Sequence, residues 1–150
     1  HGTVRVNSKV IGKDIDFPEN MGVIIENPSF ISHMSGLRNL EILAGYKKCV
    51  SKEQVKKIME LVNLDPESRL PVSKQRLGIA QAIMEKPKLL VLDEPFNGLD
   101  EDGVKEVRNI LLKMKQTGVT IVLSSHNAED IKILCNSVYQ MNKGYMKQIL

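Results

Sequence analysis

Three apolar stretches of this chain end in side chains that can do chemistry. Leu89-Leu90-Val91-Leu92 runs straight into Asp93 and Glu94. Met21-Gly22-Val23-Ile24-Ile25 runs into Glu26, and Val119-Thr120-Ile121-Val122-Leu123 into Ser124-Ser125-His126. The first run has no polar alternation, the pattern of an inner strand of a parallel sheet buried on both faces. Such strands end in a crevice at their carboxyl edge, where α/β proteins place ligands. Two carboxylates at that edge are costly unless a cation or a reacting water uses them. Pro95 donates no backbone hydrogen bond and stops the ladder. The plainer alternatives are an acidic turn at Asp93-Glu94, an exposed loop acid at Glu26 and a hydrogen-bonded strand-end histidine at His126.

The rest of the chain must hold these strand ends together. Its 150 residues leave room for one domain with a real core. Charged residues make up 26% and hydrophobic ones 42%, an ordinary globular balance. No apolar run approaches the ~18 residues of a membrane span. A net charge of +3 is too small to argue for nucleic acid, and lysines adjoin only at Lys47-Lys48 and Lys56-Lys57. Cys49 and Cys135 share no metal-type spacing and are expected to be buried or incidental thiols of a cytosolic protein. The start, His1-Gly2-Thr3, lacks the plan of a signal peptide and an initiator Met, so the chain is expected to begin inside a longer one.

Residues 3–6 and 9–11 read as a hairpin about Asn7-Ser8. Leu37, Leu40, Leu43 and Ala44 have helical spacing behind Ser35 as N-cap. Ser51 and Gln54 form a capping box for a second helix, whose stripe is Val55, Ile58, Met59 and Val62 and whose end is set at Asp65-Pro66. By periodicity these stripes are core, with Met34 and Met59 as gap-fillers, and His33 is a solvated loop residue. Asp100 can cap a helix over 101–117 with Val104, Val107, Ile110, Leu111 and Met114 inward, and Gly118 sits at its C′ position. Residues 127–135 read as a short helix and 138–149 as a closing hairpin.

Leu-Leu-Val-Leu-Asp93-Glu94-Pro95, Asn97-Gly98-Leu99-Asp100 and the strand-end His126 follow one another in order. Together they resemble the Walker B strand, D-loop and H-loop of the ATP-binding-cassette (ABC) ATPases. The resemblance covers nearly the whole chain. It implies an α/β fold, a partial P-loop NTPase (RecA-like) core with parallel strands, a helical subdomain and a C-terminal β-hairpin. It divides one partial domain into strands leading to the Q-loop (1–28), the helical subdomain (29–72) and the signature helix, Walker B, D-loop, H-loop and hairpin (73–150). By the same resemblance, Asp93 would hold Mg2+ through a water and Glu94 would take the proton of the attacking water. His126 would contact the γ-phosphate, and Asp100 would work across a dimer interface. Asn97, Asp100 and Glu26 are expected in the nucleotide site. Glu26 stands where the family usually has Gln, and a carboxylate there could also meet Mg2+. Ile25-Glu26-Asn27-Pro28 is similar to the branch of bacitracin- and lantibiotic-type export. The implied partners are ATP, Mg2+, a separate transmembrane permease and a second ATP-binding subunit packed head-to-tail, without nucleic acid. The implied place is cytoplasmic, peripheral at the inner face of the cell membrane.

Two features depart from the family. Lys74-Gln75-Arg76-Leu77-Gly78-Ile79-Ala80 matches the helix after the ABC signature, yet Leu70-Pro71-Val72-Ser73 runs directly into it. No glycine occurs between Gly45 and Gly78. Either the signature is degenerate or several residues near 72–74 are missing. There is also no G-x-x-x-x-G-K-[S/T] loop, the phosphate cradle such a fold needs; the one Gly-Lys pair, Gly12-Lys13, is followed by Asp14. The chain therefore reads as an ATP-hydrolysing subunit powering export of a peptide or drug, with ATPase activity expected of the complete protein. The alternative is a truncated, non-catalytic interaction fragment that cannot bind ATP.

Overall fold

The computed structural model describes residues 2–47, without the side chain of Lys47, and 50–150. Lys48 and Cys49 therefore lie outside the described residues. Of the two cysteines, Cys135 is described; it is half-buried, and burial pushes its thiol up in pKa against the opposing pull of Lys115.

A short hairpin opens the chain, β1 (Arg5–Val6) against β2 (Lys9–Val10). Asn7 and Ser8 both adopt left-handed backbone, φ 49° and 66°, as the tight primed turn of a two-residue hairpin requires. β3 (Met21–Ile24), β4 (Leu89–Asp93) and β5 (Thr120–Ser124) then form a parallel sheet in chain order. Ile24 pairs with Leu92, and Asp93 with Ser124, so the strands finish level at one edge. Parallel neighbours need long crossovers. The first is helical: α1 (Gly36–Lys47), α2 (Lys52–Leu61) and α3 (Lys74–Ile83). The second is α4 (Glu101–Gln116). After β5 come α5 (Ala128–Leu134) and an exposed hairpin of β6 (Tyr139–Asn142) and β7 (Tyr145–Gln148).

The helix starts follow their capping residues. Ser51 accepts from the Gln54 amide while Gln54 Oε1 accepts from the Ser51 amide, closing the expected capping box. The Ser35 hydroxyl accepts from Arg38, and Asp100 from Gly103 at 2.9 Å. α2 stops at Leu61, short of Asp65-Pro66, because Asn63 turns left-handed at φ 57°. Asn39 is buried in α1 and spends its amide on Ile31, Met34 and Ser35, which fastens the preceding loop.

Leu40, Met59, Leu77, Leu90, Val107 and Leu111 meet in one core, each at most 2% exposed. Side chains of this size stabilise by about 1.5–3 kcal/mol apiece when fully buried. α3 lies close on β3 because Gly22 has no side chain: a Cβ there would stand 2.0 Å from the Ala82 carbonyl oxygen. A Cβ at Gly78 would likewise stand 2.4 Å from Pro28, so α3 also braces the loop after β3.

One expectation is corrected. The sheet is buried on one face, not on both. Along β4, Leu90 and Leu92 are buried while Leu89, Val91 and Asp93 are half-buried; along β5, Thr120 and Val122 are exposed. The described helices cover the Leu90 side, and the Val91 side borders an open cavity of about 1080 Å3.

Candidate functional site

The level strand ends create the site. β4 delivers Asp93 and Glu94 side by side, β5 delivers Ser124 beside them, and His126 follows two residues on. The Ser124 hydroxyl donates to Asp93 Oδ1 and accepts from the Glu94 amide at 3.2 Å. The Ser124 carbonyl accepts from the same amide at 3.3 Å. One serine thus fixes both acidic residues. His126 Nδ1 lies 3.0 Å from Glu94 Oε2. The imidazole is open to solvent, 79% exposed, whereas the Glu94 side chain is 31% exposed.

Glu94 has left-handed backbone, φ 45°, which turns the chain sharply out of β4. Such a conformation is uncommon outside glycine and concentrates at functional positions. Pro95 and Phe96 are buried behind it, and the loop closes through Asn97 N–H to Glu94 O and Leu99 N–H to Phe96 O, both 3.2 Å. Asn97 itself is exposed.

Of the residues singled out from sequence, Asp93, Glu94 and His126 stand together. Asp100 lies at the far end of the same loop, with one oxygen occupied as the cap of α4. Glu26 follows the adjacent strand end, exposed and also left-handed at φ 55°, and no hydrogen bond joins it to Asp93 or Glu94. Among the described residues, no three His, Cys, Asp or Glu side chains are arranged to hold a metal. Mg2+ needs no such cage; it takes one or two carboxylates and fills the rest with water and phosphate oxygens. Two adjacent carboxylates and a hydroxyl, all oxygen donors, fit that demand.

Sequence reasoning passed over several residues that hold the site. Gln75 is buried in α3 and donates to the Pro95 carbonyl at 2.9 Å. Asp130 is 2% exposed and takes Arg108 Nε at 2.6 Å, while Ser125 donates to its other oxygen at 3.5 Å. That set ties the His126 loop to α4. The adjacent Ser124-Ser125 pair before His126 was the available signal; Gln75 and Asp130 gave none.

Here the Glu94 carboxylate faces His126 across two parallel strands beside Asp93, at the carboxyl edge where α/β proteins bind their ligands. Residues 1–97 match the family model described as ABC transporter. An uncharacterized ABC transporter ATP-binding protein, YybJ of Bacillus subtilis (strain 168), is 41% identical over 97% of this chain and 70% of its own length. The bacitracin transport ATP-binding protein BcrA of Enterococcus faecalis is 42% identical over 97% of this chain and 50% of its own length. A bacterial ABC transporter cassette solved as a dimer superposes with a TM-score of 0.81 at 15% identity, covering all of this chain and 74% of that one. The chain belongs to the ABC transporter family, on its ATP-binding side. It spans half of BcrA. Its alignment with YybJ extends over 152 positions, more than the 150 residues of the chain, so YybJ carries residues that this chain lacks inside the matched region. No described helix is long and apolar enough to cross a membrane.

Proposed function

We propose that the whole protein is an ATP-hydrolysing subunit that powers export of a peptide or drug through a separate membrane permease. The observation that carries this reading is the 3.0 Å approach of Glu94 and His126 beside Asp93. Phosphoryl transfer to water asks the protein for positioning and charge stabilisation more than for covalent chemistry. Glu94 polarises the attacking water and takes its proton, and His126 steadies the carboxylate and meets the γ-phosphate. Asp93, held by Ser124, would hold the metal through a water, and Glu26 is a second candidate ligand. Mg2+ would neutralise charge on the phosphate oxygens. Asn97 and Asp100 present the loop between them to a second subunit packed head-to-tail. The names of BcrA and of the lantibiotic transport protein SrtF of Streptococcus pyogenes, 36% identical over 83% of this chain, support a peptide cargo. A working place at the inner face of the membrane follows from the permease partner.

The test is ATP turnover by the full-length protein. Glu94→Gln should keep ATP binding and lower turnover on the order of 10²–10⁴-fold, the usual worth of a positioned general base. Normal turnover by Glu94→Gln would remove Glu94 from the role.

A second reading has an observation of its own. The 150 residues hold no phosphate-binding loop, so the chain by itself would be a non-catalytic fragment keeping interaction surfaces. Intact mass separates the two. A mass well above 16.8 kDa favours the ATPase, with a phosphate loop and a glycine-rich turn near 72–74 as the first segments to look for. A mass of 16.8 kDa predicts no measurable ATP binding.

A further inference from the structure

Glu94 holds a backbone conformation that a residue with a Cβ keeps only where its surroundings impose it. Two groups do so from opposite sides. On the β5 side, Ser124 accepts from the Glu94 amide with its carbonyl and its hydroxyl. On the helical side, the amide of Gln75 donates to the Pro95 carbonyl at 2.9 Å and lies 3.5 Å from the Glu94 carbonyl. Gln75 is 7% exposed, and a polar side chain so placed is retained only where it is bonded. Its neighbour Arg76 serves the other end of the same loop, where its guanidinium stands 3.8 Å from Asp100 Oδ1. It bonds to the Val62 carbonyl at 3.0 Å and to Glu106 at 2.5 Å, and so ties the end of α2 to α4.

We propose that Gln75 is a positioning residue for the water-activating carboxylate. Its amide fixes the Glu94–Pro95 turn against α3 so that Glu94 Oε2 meets His126 Nδ1. Gln75 touches neither nucleotide nor water; it acts through Glu94. The inference rests on the role given to Glu94 above.

The experiment compares Gln75→Met, Glu94→Gln and the double variant in the full-length protein. Methionine matches the length of glutamine and removes the donor without adding charge. Gln75→Met should lower kcat about 10- to 100-fold, the penalty of a misplaced catalytic group, and leave KM for MgATP within about 2-fold. The double variant should be no slower than Glu94→Gln alone, since residues acting as a unit are not additive. An unchanged kcat, or a double variant slower by the full factor of Gln75→Met, overturns the proposal. Normal turnover by Glu94→Gln alone would instead refute the role of Glu94. Amide hydrogen exchange reads the clamp without catalysis. Asn97 and Leu99 should exchange at least about 10-fold faster in Gln75→Met, with the β4 amides unchanged as a check on folding. Equal exchange at Asn97 and Leu99 overturns the clamp whatever the turnover. Should Gln75→Met not fold, Gln75→Ala also removes the donor without burying a charge and carries the same measurements.

Discussion

Both faces of the parallel sheet carry aliphatic side chains, and these sit in different surroundings. Ile24, Leu90 and Leu92 point into the core at 3%, 0% and 2% exposure. On the other face, Leu89 and Val91 are half-buried and Val122 is 54% exposed. The difference is not one of sequence, because strand residues alternate between faces and both sets are aliphatic. It is one of cover: α3 and α4 close the first face, while the second borders the cavity of about 1080 Å3. An apolar run therefore reports the surroundings a strand is suited to, which can exceed what 150 residues supply. On the proposed reading, the open face is the natural seat of the phosphate-loop segment.

The largest test of this contrast is Leu90→Asp. A carboxylate at a fully buried position with no partner should cost upwards of about 4 kcal/mol, enough to unfold the domain. Circular dichroism should show loss of helix at 25 °C. A folded Leu90→Asp would mean that the closed face is not the core.

Much of this arrangement is legible from sequence because it is local. Ser35, Ser51 with Gln54, and Asp100 each cap a helix within three residues of themselves, and the runs ending at Glu26, Glu94 and His126 mark the level strand ends. What sequence reading missed acts across long separations. Gln75 meets Pro95 twenty residues on, Asp93 meets Ser124 across neighbouring strands, and Arg108 meets Asp130 across two helices. Nothing in the residues around Gln75 distinguishes it from a solvated helix glutamine, since its burial depends on where β4 ends. The expectation of burial on both sheet faces misled for the opposite reason: the local pattern is right for a strand covered twice, and tertiary context covers it once.

An intermediate effect is expected at Asp130. Its pairing with Arg108 is buried on the closed side, between α4 and α5. Asp130→Ala strands a guanidinium that is only 12% exposed, although Glu129 still reaches it at 3.3 Å. Breaking a buried pair from one side typically costs about 3–5 kcal/mol, and the remaining partner should hold the loss to about 2–3. Urea unfolding would measure it. Arg108→Met added to Asp130→Ala should recover part of the loss by removing the stranded charge. No recovery would show that Asp130 works through the Ser125 loop, not through the ion pair.

The smallest effect belongs to the open face and compares two lengths of protein. In the 150-residue chain, Val122→Ala removes two methyl-sized groups from a side that is half in water. Its cost should stay within about 0.5 kcal/mol, the range of ordinary surface changes. In a longer chain that covers this face, the same groups come out of a packed interior. Each buried methylene-sized group is worth about 0.8 kcal/mol before any cavity term, so the cost should rise to about 2 kcal/mol. Paired denaturation of the two lengths, with Leu90→Ala as the closed-face control, isolates the contribution of the cover. Leu90→Ala should cost about 2–5 kcal/mol in both. If Val122→Ala costs the same small amount in both, the open face stays open in the longer chain. The aliphatic residues of its Val91 side would then answer to β-propensity on a half-exposed sheet, where branched side chains also fit.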